Sequence, residues 1–171
     1  MNNFAKLVLS TAKSIQDDAP RRGAPPDEGL KPESEQVIAS SLVRGTRGYI
    51  EKVVDQINGC YEHGWFDGCA VMIRRLVETL IIEAYEKREI ADKVKNQNGD
   101  FYYLSDLIDC ILSETAWNLG RNAKTALPKL KSIGDLAAHS RRYHTHRSDI
   151  DKIIGDLRIV VQELTYLSGL K

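Results

Sequence analysis

This 171-residue sequence has few cysteines, confines nearly all of its prolines to one stretch, and contains no long uninterrupted hydrophobic run. Three cysteines, an odd number without a CxxC pair, agree with a reducing compartment. The longest apolar-rich stretch, Val71 to Ala84, is interrupted by Arg74, Arg75, Glu78 and Glu83, so it cannot cross a bilayer. The first fifteen residues lack the continuous apolar run and small-residue cleavage site of a secretory signal. The cytoplasm is therefore the expected location, with no membrane partner. Alternating strand patterns of useful length are also missing, which excludes a substantial β-sheet.

The chain does have helical periodicity. Phe4, Leu7, Val8 and Ile15 mark an amphipathic helix over residues 1–16. Four of the five prolines then fall between Asp17 and Glu35, which reads as a linker over 17–35. The main domain is expected over 36–171 as an all-α bundle of four or five principal helices, with the N-terminal helix as an appendage able to meet a protein partner. Its first helical region breaks at Gly45 to Gly48 and stops at His63-Gly64. The second runs from about Trp65 to Glu89, and Gly64, Gly68 and Ala70 permit close backbone approach. A turn at Asn96 to Asp100 precedes a helix over Leu104 to Leu112. Pro128 suits the first turn of the next helix, extended to about His144, and Ser148 is expected to cap the last one, with Asp151 three residues on.

Charge is where the sequence becomes specific. The chain is neutral overall, yet Gly120 to Arg147 holds seven Lys or Arg against one carboxylate, Asp135. That segment is about +6 and the remainder about −6, and it contains three of the four histidines. Concentrated cations beside groups that titrate near neutrality point to phosphate-bearing partners, RNA among them.

On one continuous helix, Leu127, Leu130, Ile133, Gly134, Ala137 and Ala138 face the core. Lys131, Asp135, His139, Arg142 and His146 share the opposite face within a sector of about 80°. Such a ladder is either a solvated face or a phosphodiester site. In the second case His139 takes a proton from a ribose 2′-hydroxyl and Asp135 orients its imidazole. Arg142 or Lys131 stabilises the phosphoryl charge, His146 or His144 protonates the leaving oxygen, and no metal or other cofactor is needed. Arg74 and Glu78, one turn apart on a mostly apolar helix, form either a structural ion pair or the completion of the His139 site. Cys60, His63 and Cys69 lack a fourth ligand nearby, so no metal site is expected.

Two stretches carry a family resemblance. Leu130-Lys131-Ser132-Ile133-Gly134-Asp135-Leu136-Ala137-Ala138-His139 is one. The other is Gly64-Trp65-Phe66-Asp67-Gly68-Cys69-Ala70 continuing into Ile73-Arg74-Arg75-Leu76-Val77-Glu78. Together, over roughly Tyr49 to Leu167, the chain resembles a bacterial domain-of-unknown-function family with a G-N-x-A-A-H-type helix, similar to the HEPN superfamily. The resemblance implies a HEPN-like bundle, a homodimer, and a metal-independent endoribonuclease of phage-defence or toxin–antitoxin systems. The alternative is a catalytically silent dimerisation or protein-interaction module. His139 matches the motif histidine, Asp135 stands where the family has Asn, and Arg74 with Glu78 matches the earlier Arg and Glu. The family's arginine before the polar residue is Gly134 here, while Arg141 and His146 show an R-x4-H spacing displaced from the motif.

Overall fold

The computed structural model describes residues 36–171, and apolar residues three and four positions apart generate the long helices among them. The helix expected over 1–16 and the linker over 17–35 lie outside the described residues. Six α-helices are present among the described residues: α1 Gly48–Glu62, α2 Phe66–Lys87, α3 Leu104–Ser113, α4 Arg121–His139, α5 Arg147–Asp151 and α6 Ile154–Leu167. Short 3-10 turns occupy Ser40–Leu42 and Ala91–Val94. No strand occurs among the described residues beyond an isolated bridge between Lys95 and Phe101. The fold is all-α. No helix among the described residues is long and apolar enough to cross a membrane.

α2 is the central element, packing against α1, α3, α4 and α6. Ile73, Leu76, Leu80, Ile81 and Ala84 along it are fully buried, so its apolar surface is broad enough to meet several neighbours. α1 contributes Ile50, Val53, Val54 and Ile57 on one stripe. It stops as its sequence predicts. His63 caps it, Gly64 takes φ +75°, and the Trp65 N–H returns to the Cys60 carbonyl at 2.8 Å. A left-handed residue at this position costs glycine little. The Asn96 side chain accepts the N–H groups of Asn98 and Asp100, which builds the predicted turn.

Three boundaries differ from expectation. α4 begins seven residues before Pro128, not at it, so the proline sits inside the helix. Its start is held from outside: Gly120 N–H donates to Glu163 of α6 at 2.8 Å, placing a carboxylate at the positive helix end. A Cβ at Gly120 would come within 2.5 Å of that carboxylate.

α4 also ends at His139, not near His144, because Ser140 turns extended. Residues 140–142 and 144–146 offer no apolar side chain to bury, and packing of an apolar face is what sustains most protein helices. Ala138, expected in the core, is exposed. α2 and α4 run antiparallel, with Gly134 against Ala70 near the start of α2, so the last turn of α4 overhangs that end.

The terminal helix is split at Lys152 and Ile153 into α5 and α6. Its cap is not Ser148 but His146, in a reciprocal box with Asp149. Gly155, a poor helix former with nothing within 4 Å of where a Cβ would stand, lies beside the break.

Candidate functional site

The site starts from a close helix crossing. A Cβ at Gly134 would lie 2.7 Å from Arg74 Cβ and 3.2 Å from the Ala70 carbonyl, so only glycine seats α4 this deeply on α2. Glycine at this position is thus a packing requirement, and the side chain that the crossing brings against α4 is Arg74 of α2. Arg74 Nε donates to Asp135 Oδ1 at 3.0 Å, and its Nη1 lies 3.6 Å from Glu78 Oε2. Lys131 Nζ meets the other Asp135 oxygen at 2.5 Å. Glu78, Arg74, Asp135 and Lys131 form one half-buried chain of alternating charge. Burial pushes the Asp135 carboxyl up, but hydrogen bonds from Lys131 and Arg74 outweigh it and hold the group below its ordinary value. Arg74 and Glu78 thus form an ion pair that reaches α4 at Asp135.

The expected link from Asp135 to His139 is not. Both Asp135 oxygens are occupied by cations, and the His139 imidazole has no hydrogen-bond partner among the described residues. The imidazole is exposed and lines an open groove of about 500 Å³ between α3 and α4. Asp109 and Ser105 of α3, Lys131, Ser132 and Asp135 of α4, and Ser140 supply its polar edge. Ile108, Leu112, Pro128 and Leu136 make its apolar walls. The rod through Gly134 is unbroken, and its histidine meets solvent.

Beyond His139 the ladder dissolves. Arg142 and His146, expected on the α4 face, belong instead to residues after the helix end, along with Arg141. Two carboxylates pin this loop from beneath. Asp67, in the first turn of α2, accepts the Thr145 N–H at 2.7 Å, and its Oδ2 lies 3.4 Å from His144 Nδ1. Asp149 accepts the His146 N–H at 3.0 Å and the Tyr143 hydroxyl at 2.9 Å. Both carboxyls are lowered, chiefly by those backbone hydrogen bonds. Arg147 lies over the Tyr61 ring at 5.1 Å and donates to its hydroxyl at 3.0 Å.

The side chains above these anchors remain available. Arg141 and Arg142 are exposed and make no hydrogen bond or ion pair with a described residue. The His144 and His146 side chains are 82% and 77% exposed. The local fold therefore holds the loop backbone while leaving a row of cations and imidazoles in solvent.

Asp67, Asp149 and Glu163 were not singled out from the sequence. Only Asp149 left a signal, three residues after His146 in the spacing of a capping box. Cys60 and Cys69 pack near the α1–α2 turn, and burial pushes the Cys69 thiol up to about 12. His63 Nδ1 is 2.8 Å from the Gly59 carbonyl, with its ring stacked on Trp65 at 5.0 Å. Among the described residues no group of three or more His, Cys, Asp or Glu is placed to hold a metal.

No protein-family model, curated protein or solved structure significantly matches this chain.

Proposed function

We propose that this protein is a HEPN-like helical domain that binds the phosphates of RNA or of nucleotides on the basic loop from His139 to Arg147. One observation carries the reading: Asp67 and Asp149 are used on backbone N–H groups of the loop and Asp151 pairs with Arg147, so Arg141 and Arg142 stay uncompensated. A face serving solubility alone usually mixes signs, whereas residues 139–148 include no carboxylate at all. The resemblance of Leu130 to His139 to the motif helix supports the same reading, since that helix delivers the histidine to the edge of this loop.

Binding has more support than cleavage. A 2′-hydroxyl mechanism needs a positioned base, a cation on the phosphoryl oxygens and an acid. His139 is accessible for the first role, but Asp135 is engaged elsewhere and does not orient it.

The test is a salt titration of single-stranded RNA binding. A loop neutralising about three phosphates gives a log–log slope near −2, and Arg141→Ala/Arg142→Ala lowers its magnitude by about 1. No binding at low salt removes the proposal. Incubation with mixed RNA in chelator, beside His139→Ala, tests cleavage. Strand scission lost in the variant restores the endoribonuclease reading.

A second surface favours the interaction-module reading. Tyr166, 76% exposed, joins Leu42, Ile159 and Leu167 around an open cavity of about 740 Å³. Sedimentation equilibrium tests it as a homodimer seam: a dimer that Tyr166→Glu converts to monomer supports it, and a monomer at high concentration removes it.

A further inference from the structure

The groove between α3 and α4 contains a carboxylate that no described residue pairs with. Asp109 contributes its backbone carbonyl to the Ser113 hydroxyl at 2.8 Å, but its side chain has no partner among the described residues. It is exposed on the polar edge of the groove. The second carboxylate there, Asp135, is fully occupied by Arg74 and Lys131. Across from Asp109, Lys131 spends one ammonium proton on Asp135 and retains others to donate. The hydroxyls of Ser105 and Ser132 are likewise without partners among the described residues.

The remaining lining is suited to a flat heterocycle. Leu112, Leu136, which is 43% exposed, and the edge of buried Ile108 line the groove's apolar part, and the His139 ring stands at the end where the chain leaves for Arg141 and Arg142. An unstacked base is commonly held by stacking on an exposed aromatic ring such as the His139 imidazole.

The free carboxylate then discriminates among bases. An ionised carboxylate only accepts hydrogen bonds, through two adjacent oxygens. Guanine presents two adjacent donors on its Watson–Crick edge, N1–H and the 2-amino group. Adenine and cytosine each place a lone pair beside their amino group, and uracil flanks its single N–H with two carbonyls. These three bases would set a lone pair against the carboxylate.

We propose that the α3–α4 groove takes a guanine base, with Asp109 accepting its two adjacent N–H groups and His139 stacking on the ring. Lys131 donates to the guanine 6-oxygen, and the attached phosphate reaches Arg141 and Arg142. Only the placing of the phosphate rests on the function proposed above; the base contacts stand on the groove alone.

The test is calorimetric titration of the full chain with guanosine 5′-monophosphate, the inosine, adenosine, cytidine and uridine monophosphates, and guanosine itself. The guanine nucleotide is expected to bind about tenfold or more tighter than those of adenine, cytosine and uracil, with inosine between them. Asp109→Asn abolishes the preference, while Asp106→Asn, on the same helix but outside the groove lining, retains it. His139→Phe keeps the affinity that His139→Ala loses. All these positions are exposed, and circular dichroism checks that each variant folds.

Equal binding of all monophosphates, lost in Arg141→Ala/Arg142→Ala, overturns the base inference and leaves the phosphate reading standing. Selective binding of guanosine and its monophosphate alike, indifferent to both arginines, keeps the inference and overturns the phosphate reading. Unchanged selectivity in Asp109→Asn overturns the assignment of the carboxylate. Absence of binding by every ligand overturns both.

Discussion

The α2–α4 seam and the loop that follows it contain the same kinds of charged residue and use them in opposite ways. In the seam, Arg74, Glu78, Asp135 and Lys131 satisfy one another, half-buried between two backbones in close approach. In the loop, the carboxylates of Asp67 and Asp149 hold backbone N–H groups, and the arginines above them are unmatched. Charge content is therefore a poor guide to availability. What matters is whether the acidic partner has already been used by the backbone or by another side chain.

The strongest way to break this contrast is to open the seam. Gly134→Val places a branched side chain where even one carbon would stand 2.7 Å from Arg74 Cβ. Urea unfolding is expected to show a loss of about 3 kcal/mol, since overpacking at a rigid contact is costly.

Arg74→Ala comes next. It leaves Asp135 half-buried with Lys131 alone, at a cost of about 1–2 kcal/mol by the same measurement. It also changes the acid limb. Asp135 is held below its ordinary 3.8, so its stabilisation is complete above that value and is lost as pH falls through the lower, folded value. The wild-type protein should lose stability more steeply than the variant below about pH 4. Parallel acid limbs would show that the pairing does not lower Asp135.

Loosening the loop is a smaller perturbation. Asp149→Ala removes the carboxylate half of the α5 capping box and with it two hydrogen bonds, at about 1 kcal/mol. Hydrogen exchange should quicken at the His146 amide and stay unchanged at Gly134. Asp67→Ala should do the same at the Thr145 amide.

The mildest change sharpens the comparison. Arg141→Ala/Arg142→Ala should leave stability within about 0.5 kcal/mol, because these side chains touch no partner among the described residues. RNA binding should nevertheless fall and its salt dependence flatten. A stability loss as large as that of Arg74→Ala would mean that the loop cations are structural, and the distinction between the two regions would collapse.

Much of the fold was legible from residue spacing. The stripes of α1 and α3, the His63-Gly64 stop and the Asn96–Asp100 turn depend on neighbours within a few positions. Sequence displays such relations directly. The site was legible by halves. Lys131, Asp135 and His139 share a face because helical geometry is regular, and Arg74 was identified as a candidate to complete the site. The partnership of Asp135 was not legible, since choosing among Arg74, Lys131 and His139 depends on which group a packed neighbour brings within 3 Å. The end of α4 was misjudged for a related reason. Periodicity continues past His139, but no neighbouring helix remains there for a further turn to pack against.

By itself, then, the sequence determined an all-α bundle, the approximate places of its turns, and a segment rich in cations and imidazoles. Those properties are local or additive along the chain. Only tertiary structure decided which charges cancel, where α4 stops, and which side of the helix opens onto a groove. Each of these depends on pairs such as Arg74 with Asp135, Asp67 with Thr145 and Gly120 with Glu163, separated by 61, 78 and 43 residues. An ion pair or a cap has energetic meaning only at a distance of a few ångströms, and the packing of the core sets that distance.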